Sequence, residues 1–154
     1  MKLYHGTTIE FENPDLSKSR KNTDFGAGFY LTDKESMADD WKKGLPNKHI
    51  NVYELTLSKI SSCNLHIKKY EKANIEWAKF VYNNRRNKIR SNKYDLIIGP
   101  VADNGLEAYF REIEAKRITW EDLIQKIEFR KFKALQYCFV KPNAIKLLNY
   151  VSRK

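Results

Sequence analysis

Asp24-Phe25-Gly26-Ala27-Gly28-Phe29-Tyr30-Leu31-Thr32-Asp33-Lys34-Glu35 carries three structural signals in one short run. The glycine pair marks a turn. Phe29 to Thr32 has the aromatic and β-branched composition of a short strand. Thr32-x-x-Glu35 matches a capping box, so a helix is expected through about Lys43, stopped by Gly44 and Pro46. A strand that feeds a capped helix after a glycine turn is the local unit around which the rest of the chain is read.

Upstream, Met1 to His5 reads as a first strand, closed by Gly6-Thr7-Thr8. Glu12 to Asp24 contains Asn13-Pro14-Asp15 and a charged run from Ser17 to Asn22, without periodicity. It predicts a long loop, and loops of that length in a compact domain are often functional. Downstream, Tyr53, Leu55 and Leu57 alternate with Glu54 and Thr56, which predicts a half-buried strand over His49 to Leu57. Ala73, Trp77, Phe80 and Val81 fall at helical spacing within Tyr70 to about Asn84. Tyr94 to Ile98 predicts an inner strand stopped by Gly99-Pro100. Helices are expected around Leu106 to Ile113 and, capped by Thr119-x-x-Asp122, over Leu123 to Ile127. Ala134 to Val140 predicts a strand cut off by Pro142, followed by a short helix from Asn143 and an edge strand near Leu148 to Val151. Strands and helices do not alternate strictly, so the class is α+β rather than doubly wound. No linker divides residues 1–154, which are read as a single domain.

The composition bounds what the chain does. Hydrophobic residues make up 42% of 154, enough for a core. Lys and Arg number 29 against 19 Asp and Glu, a net charge of +10 that favours an anionic partner. Leu96-Ile97-Ile98 is far too short an apolar run to span a bilayer. Met1 to His5 has no apolar segment behind it, so no secretory signal and no membrane partner are expected. Cys63 and Cys138 make neither a metal-ligand spacing nor a disulfide framework, which points to a reduced cytoplasmic protein. There is no Walker loop, HExxH, CxxC or G-x-S-x-G elbow, and Gly26-x-Gly28 lacks the third glycine of a dinucleotide fingerprint. No metal site is expected.

Tyr4-His5-Gly6, Asp24 to Thr32, and Gly99-Pro100-Val101-Ala102 occur in that order, with Trp41 eleven positions after Tyr30. In this the chain resembles the ADP-ribosyltransferase superfamily, in its diphtheria-toxin and poly(ADP-ribose)-polymerase-like branch. It also resembles a family of small bacterial members that often occur as toxins paired with antitoxins. The resemblance covers most of the chain and implies split mixed and antiparallel sheets flanked by helices. It further implies a mono-ADP-ribosyltransferase that uses NAD as co-substrate, releases nicotinamide, and modifies a nucleic-acid or protein acceptor. An acidic antitoxin is a further implied partner.

The resemblance also implies roles. His5 would hydrogen-bond a ribose hydroxyl, while Gly6, with Thr7 beside it, would bring the main chain close to the carboxamide. Tyr30 and Trp41 would sandwich the nicotinamide. Gln136 takes the place where the branch usually has Glu near the ribose 2′-hydroxyl. An amide hydrogen-bonds that hydroxyl but is no base, which favours single transfer over polymer formation. Asp103, just past Gly99-Pro100-Val101-Ala102, is the candidate for a supporting carboxylate. Ala38 stands where related enzymes often have Ser, which leaves the carboxamide to Gly6. Arg20, with Lys18 and Lys21, is expected to close over the phosphates, and Gly28 to approach the ligand. The basic runs Asn84 to Arg90 and Arg130-Lys131-Phe132-Lys133 are candidate phosphate or nucleic-acid surfaces. Two other readings fit the residues: a binding module of the same fold that has lost transfer, and an unrelated RNA-binding or RNase-like toxin.

Overall fold

In the computed structural model, the described residues are 1–89, 92–103, 105–128 and 134–154. The strands are β1 (Lys2–Thr7), β2 (Phe29–Thr32), β3 (His49–Leu55), β4 (Ile67–Lys69), β5 (Leu96–Pro100), β6 (Leu135–Phe139) and β7 (Leu148–Arg153). The helices are α1 (Glu35–Asp40), α2 (Leu57–Ser62), α3 (Ile75–Arg85), α4 (Leu106–Glu114), α5 (Trp120–Glu128) and α6 (Pro142–Ile145). All seven strands join one mixed sheet in the order β4-β5-β6-β2-β1-β3-β7. Only β4 and β5 are parallel. The class is therefore α+β, as the element order predicts.

Period-two alternation sorts the strand residues onto two faces. On the first face, Leu3, Phe29, Leu31, Tyr53, Leu55, Leu96, Tyr137 and Phe139 form one core cluster with Ala144 and Leu147 around α6. On the second face, Ile97 and Cys138 pack with Phe25 and with Trp77, Val81, Phe110, Leu123 and Ile127 of α3, α4 and α5. Farther along that face, Ala38 of α1 covers Ile50 and Val52.

The hydrogen-bonded sheet is nearly split between β1 and β2. β1 pairs with β3 over six consecutive residues, from Lys2–Glu54 to Thr7–His49, and β2 pairs with β6 over four. Between β1 and β2 the ladder has a single register pair, Tyr4–Thr32. The resemblance implies split sheets; here the two halves remain joined at that one pair.

Several local expectations change. The Thr32 hydroxyl accepts from Lys34 N at 3.3 Å, while Lys34, the N-cap of α1, gives no side-chain cap. With Lys34 as N-cap, Glu35 is the first helical residue and not the third, so the Thr32 capping box does not form, and Glu35 pairs with Lys154 at 2.8 Å. The Thr119 box does form: Asp122 N donates to Thr119 Oγ1 at 3.2 Å, and Thr119 N donates to Asp122 Oδ2 at 2.8 Å. The third strand stops at Leu55, and Leu57 begins α2 with its side chain exposed. The three-residue β4 is an addition to the expected elements.

Candidate functional site

The site grows out of the opening between β1 and β2. Met1 and Leu55 exchange both hydrogen bonds, each at 2.8 Å. Bonded pairs recur at every second residue of an antiparallel ladder, so Leu3, His5 and Thr7 aim their main chains at β3. Tyr4 and Gly6 aim theirs at β2. On the other side, Asp33 N bonds Leu135 O, so the odd residues of β2 serve β6 and Tyr30 and Thr32 turn towards β1. After Tyr4–Thr32 the ladder stops. The main chains of Gly6 and Tyr30 thus face each other across the seam. The Tyr30 carbonyl is taken by a side chain, His5 Nδ1, at 2.7 Å.

That bond fixes the imidazole. A carbonyl only accepts, so Nδ1 carries the proton and Nε2 presents its lone pair. The ring packs at 4.5 Å from Phe29 and 5.6 Å from Phe11, on the first face. Burial, against the Tyr30 hydrogen bond and helped by the charges of Lys42 and His49, pushes its pKa down to about 4. Gly6 has a packing reason of its own: a Cβ there would collide with the Ala38 carbonyl, so α1 lies directly on this glycine. Ala38 is fully buried in that contact. Thr7 Oγ1 accepts from Ile9 N at 3.0 Å and turns the chain out of β1.

Tyr30 leaves the sheet on the second face, opposite to His5. Its hydroxyl donates to Gly26 O at 2.7 Å, accepts from Phe25 N at 2.9 Å and lies 2.9 Å from Thr23 Oγ1. Burial, with the Cys138 thiol nearby, raises its pKa well above the ordinary value. The ring is therefore held by its tip, and it packs against the core cluster of the second face. Gly28 has no room for a side chain, since a Cβ would strike Cys138 Sγ and the Phe139 carbonyl. Trp41 follows α1 as its C-cap and is half-buried. It belongs to none of the three core clusters.

Gln136 stands opposite Thr32 on β6, on the same face as Tyr30. It is only 3% exposed. Its Nε2 donates to Asp24 Oδ2 at 3.0 Å and to the Pro100 carbonyl at 3.2 Å. Asp24 in turn is gripped by Arg85, through Nε at 2.8 Å and Nη2 at 2.7 Å, both on Oδ1. Arg86 bonds Glu107 and Glu114, each at 2.7 Å. Arg85 and Arg86 are thus engaged in ion pairs, not free phosphate ligands as the basic run predicts.

Gly6, Tyr30 and Gln136 share the second face, with α1 and Trp41 beyond Gly6. The His5 ring lies on the first face and reaches them only through the Tyr30 carbonyl. Arg20 is exposed in the long loop. Asp103 is exposed and caps α4, its Oδ1 accepting from Leu106 N at 3.1 Å. The carboxylate in contact with Gln136 is Asp24, which sequence reasoning missed as a site residue. Arg90 and the Arg130 to Lys133 cluster lie outside the described residues. Among the described residues, no group of three or more His, Cys, Asp or Glu could hold a metal ion. No helix among them is long and apolar enough to cross a membrane.

A family model described as "Protein of unknown function (DUF3990)" matches residues 1–150, so the chain belongs to that family. No curated protein and no solved structure matches the chain.

Proposed function

We propose that this DUF3990 chain is a mono-ADP-ribosyltransferase, which takes ADP-ribose from NAD and passes it to a macromolecular acceptor. The observation that carries the reading is the interrupted β1–β2 ladder. It turns the Gly6 main chain towards the second strand just where pairing ends, which suits capture of a flat carboxamide through one N–H and one C=O. Tyr30, tethered by its hydroxyl, offers a fixed ring, and Trp41, outside the core, offers a second. Stacking and cation–π attraction on a pyridinium are worth about 1 kcal/mol each.

In the reaction the bond between the ribose C1′ and the nicotinamide nitrogen breaks. The electron pair leaves with that nitrogen, which discharges the pyridinium, and positive charge develops on the ribose. A hydroxyl or amine of the acceptor attacks C1′ and gives its proton to solvent or a nearby base. Gln136 cannot be that base, but its amide can hold the 2′-hydroxyl as the charge develops. The net charge of +10 suits a nucleic-acid acceptor or an acidic inhibitor protein, as expected for a cytoplasmic toxin.

A second reading, an NAD-binding module without transfer, is favoured by one observation: the third polar residue of the site is a neutral amide. Incubation with adenylate-labelled NAD and a cell lysate separates the readings. Nicotinamide release with label on a macromolecule supports transfer, and digestion with protease or nuclease identifies the acceptor class. NAD binding without release leaves the binding module. RNA cleavage in the absence of NAD refutes both.

A further inference from the structure

We infer that Asp24, locked by Arg85, sets the polarity of the Gln136 amide, so that the site accepts a hydrogen bond from a ligand hydroxyl and does not donate one. A glutamine amide has two N–H donors at one end and a carbonyl oxygen at the other. Both donors of Gln136 are spent, on Asp24 Oδ2 at 3.0 Å and on the Pro100 carbonyl at 3.2 Å. Each partner is an acceptor only. A flipped amide would set Oε1 against a carboxylate and a carbonyl, so the orientation follows from the partners' chemistry. Oε1 takes no hydrogen bond from any described residue and is the end left for a ligand.

Asp24 holds its own place for a matching reason. The Arg85 fork closes on Oδ1 alone and leaves Oδ2 for Gln136. The side chains of Arg85 and Asp24 are 15% and 14% exposed, so little water competes for the pair. The adjoining main chain is pinned too, through the bonds of Phe25 N and Gly26 O to the Tyr30 hydroxyl. Asp24 is therefore a positioning residue that acts through Gln136. The identity of the hydroxyl rests on the proposed transfer from NAD, where it is the ribose 2′-hydroxyl beside the bond that breaks.

The Asp24→Asn variant tests this directly. With Arg85 still held by the remaining oxygen, the introduced amide would turn its NH2 towards Gln136, so that the Pro100 carbonyl alone holds the Gln136 amide and the inverted form, NH2 towards the ligand, becomes populated. Two readouts are measured in parallel. The first needs no ligand: hydrogen exchange of the Gln136 side-chain amide by NMR, slow in the wild type and fast or strongly shifted in Asp24→Asn. The second is the ratio of kcat/KM for NAD and for its 2′-deoxy analogue. Intrinsic reactivity of the two substrates cancels between variants, and the ratio is expected to fall at least about tenfold in Asp24→Asn. A general loss of packing would lower both rates and leave the ratio in place. Arg85→Lys, which keeps the charge but loses the fork, should fall between the two and serves if Asp24→Asn does not fold. Fast exchange in the wild type overturns the inference, and so does an unchanged ratio in a folded variant. If the wild type turns over no NAD, the transferase reading fails and the exchange result alone decides the clamp.

Discussion

His5 offers a test that needs neither substrate nor partner. An imidazole in the unfolded chain titrates near 6.5, and in the folded protein burial brings it to about 4. Between those values the unfolded state binds the extra proton, so stability falls as pH falls through that window. The gap corresponds to about 3 kcal/mol once the pH is below the folded value, and none of it is lost above pH 6.5. The perturbation is His5→Gln, which keeps a donor for the Tyr30 carbonyl but does not titrate. Urea unfolding of both proteins between pH 7 and pH 4 isolates the histidine, because the carboxylates contribute equally to the two. The wild type should lose about 3 kcal/mol more than the variant on the way down. An NMR titration of the His5 ring should show its midpoint near 4. Parallel pH slopes for the two proteins, or an imidazole that titrates near 6.5, would refute the argument that packing against Phe11 and Phe29 excludes the charged form.

Three further outcomes follow from the packing, and one from the site. Trp77 is fully buried, so Trp77→Ala should cost about 3–5 kcal/mol. Trp41→Ala, outside the core clusters, should cost less than about 1 kcal/mol in urea unfolding while weakening NAD binding about tenfold by calorimetry. A thiol reagent should label one cysteine in the native protein and two after denaturation. Cys63 is exposed, whereas Cys138 is buried and its thiol is pushed up to about 12 by desolvation; fast double labelling would contradict that burial. Gly6→Ala drives a methyl into the Ala38 carbonyl and should destabilise by about 1–3 kcal/mol, whereas Ala at Gly44, which has nothing within 4 Å of its added methyl, meets only backbone strain at φ +80°. Equal melting temperatures for Gly6→Ala and the wild type would show that α1 does not lie on the strand.

What the sequence made legible follows its local periodicities. Leu3, Leu31, Tyr53, Leu55 and Phe139 alternate with outward or opposite-face residues, and each lies in the strand its pattern predicts. The Thr119–Asp122 capping box also reads correctly, because both of its bonds are local. The Thr32 box fails because α1 starts two residues late: Lys34 is its N-cap, so Glu35 is the first helical residue and not the third, and it pairs instead with Lys154, 119 residues away. β4 has three residues, too few to show a period, and its parallel partner β5 begins 27 positions after it ends. The alternation of Tyr53 and Leu55 runs on to Leu57 in the sequence, yet the chain turns into α2 before that residue. Asp24 shows the same limit within the candidate site. It looks like one more polar residue at the end of a loop, and its role emerges only once Arg85 and Gln136, 61 and 112 residues away, are brought to it.

The single Tyr4–Thr32 pair also has a mechanical consequence. A continuous ladder resists bending across its strands because every rung would have to stretch; here one rung and one imidazole bond span the line between β1 and β2. The sheet is therefore most compliant along that line. What joins β1, β3 and β7 to β2, β6, β5 and β4 across it is chiefly packing, of Leu3, Tyr53 and Leu55 on Phe29, Leu31 and Tyr137.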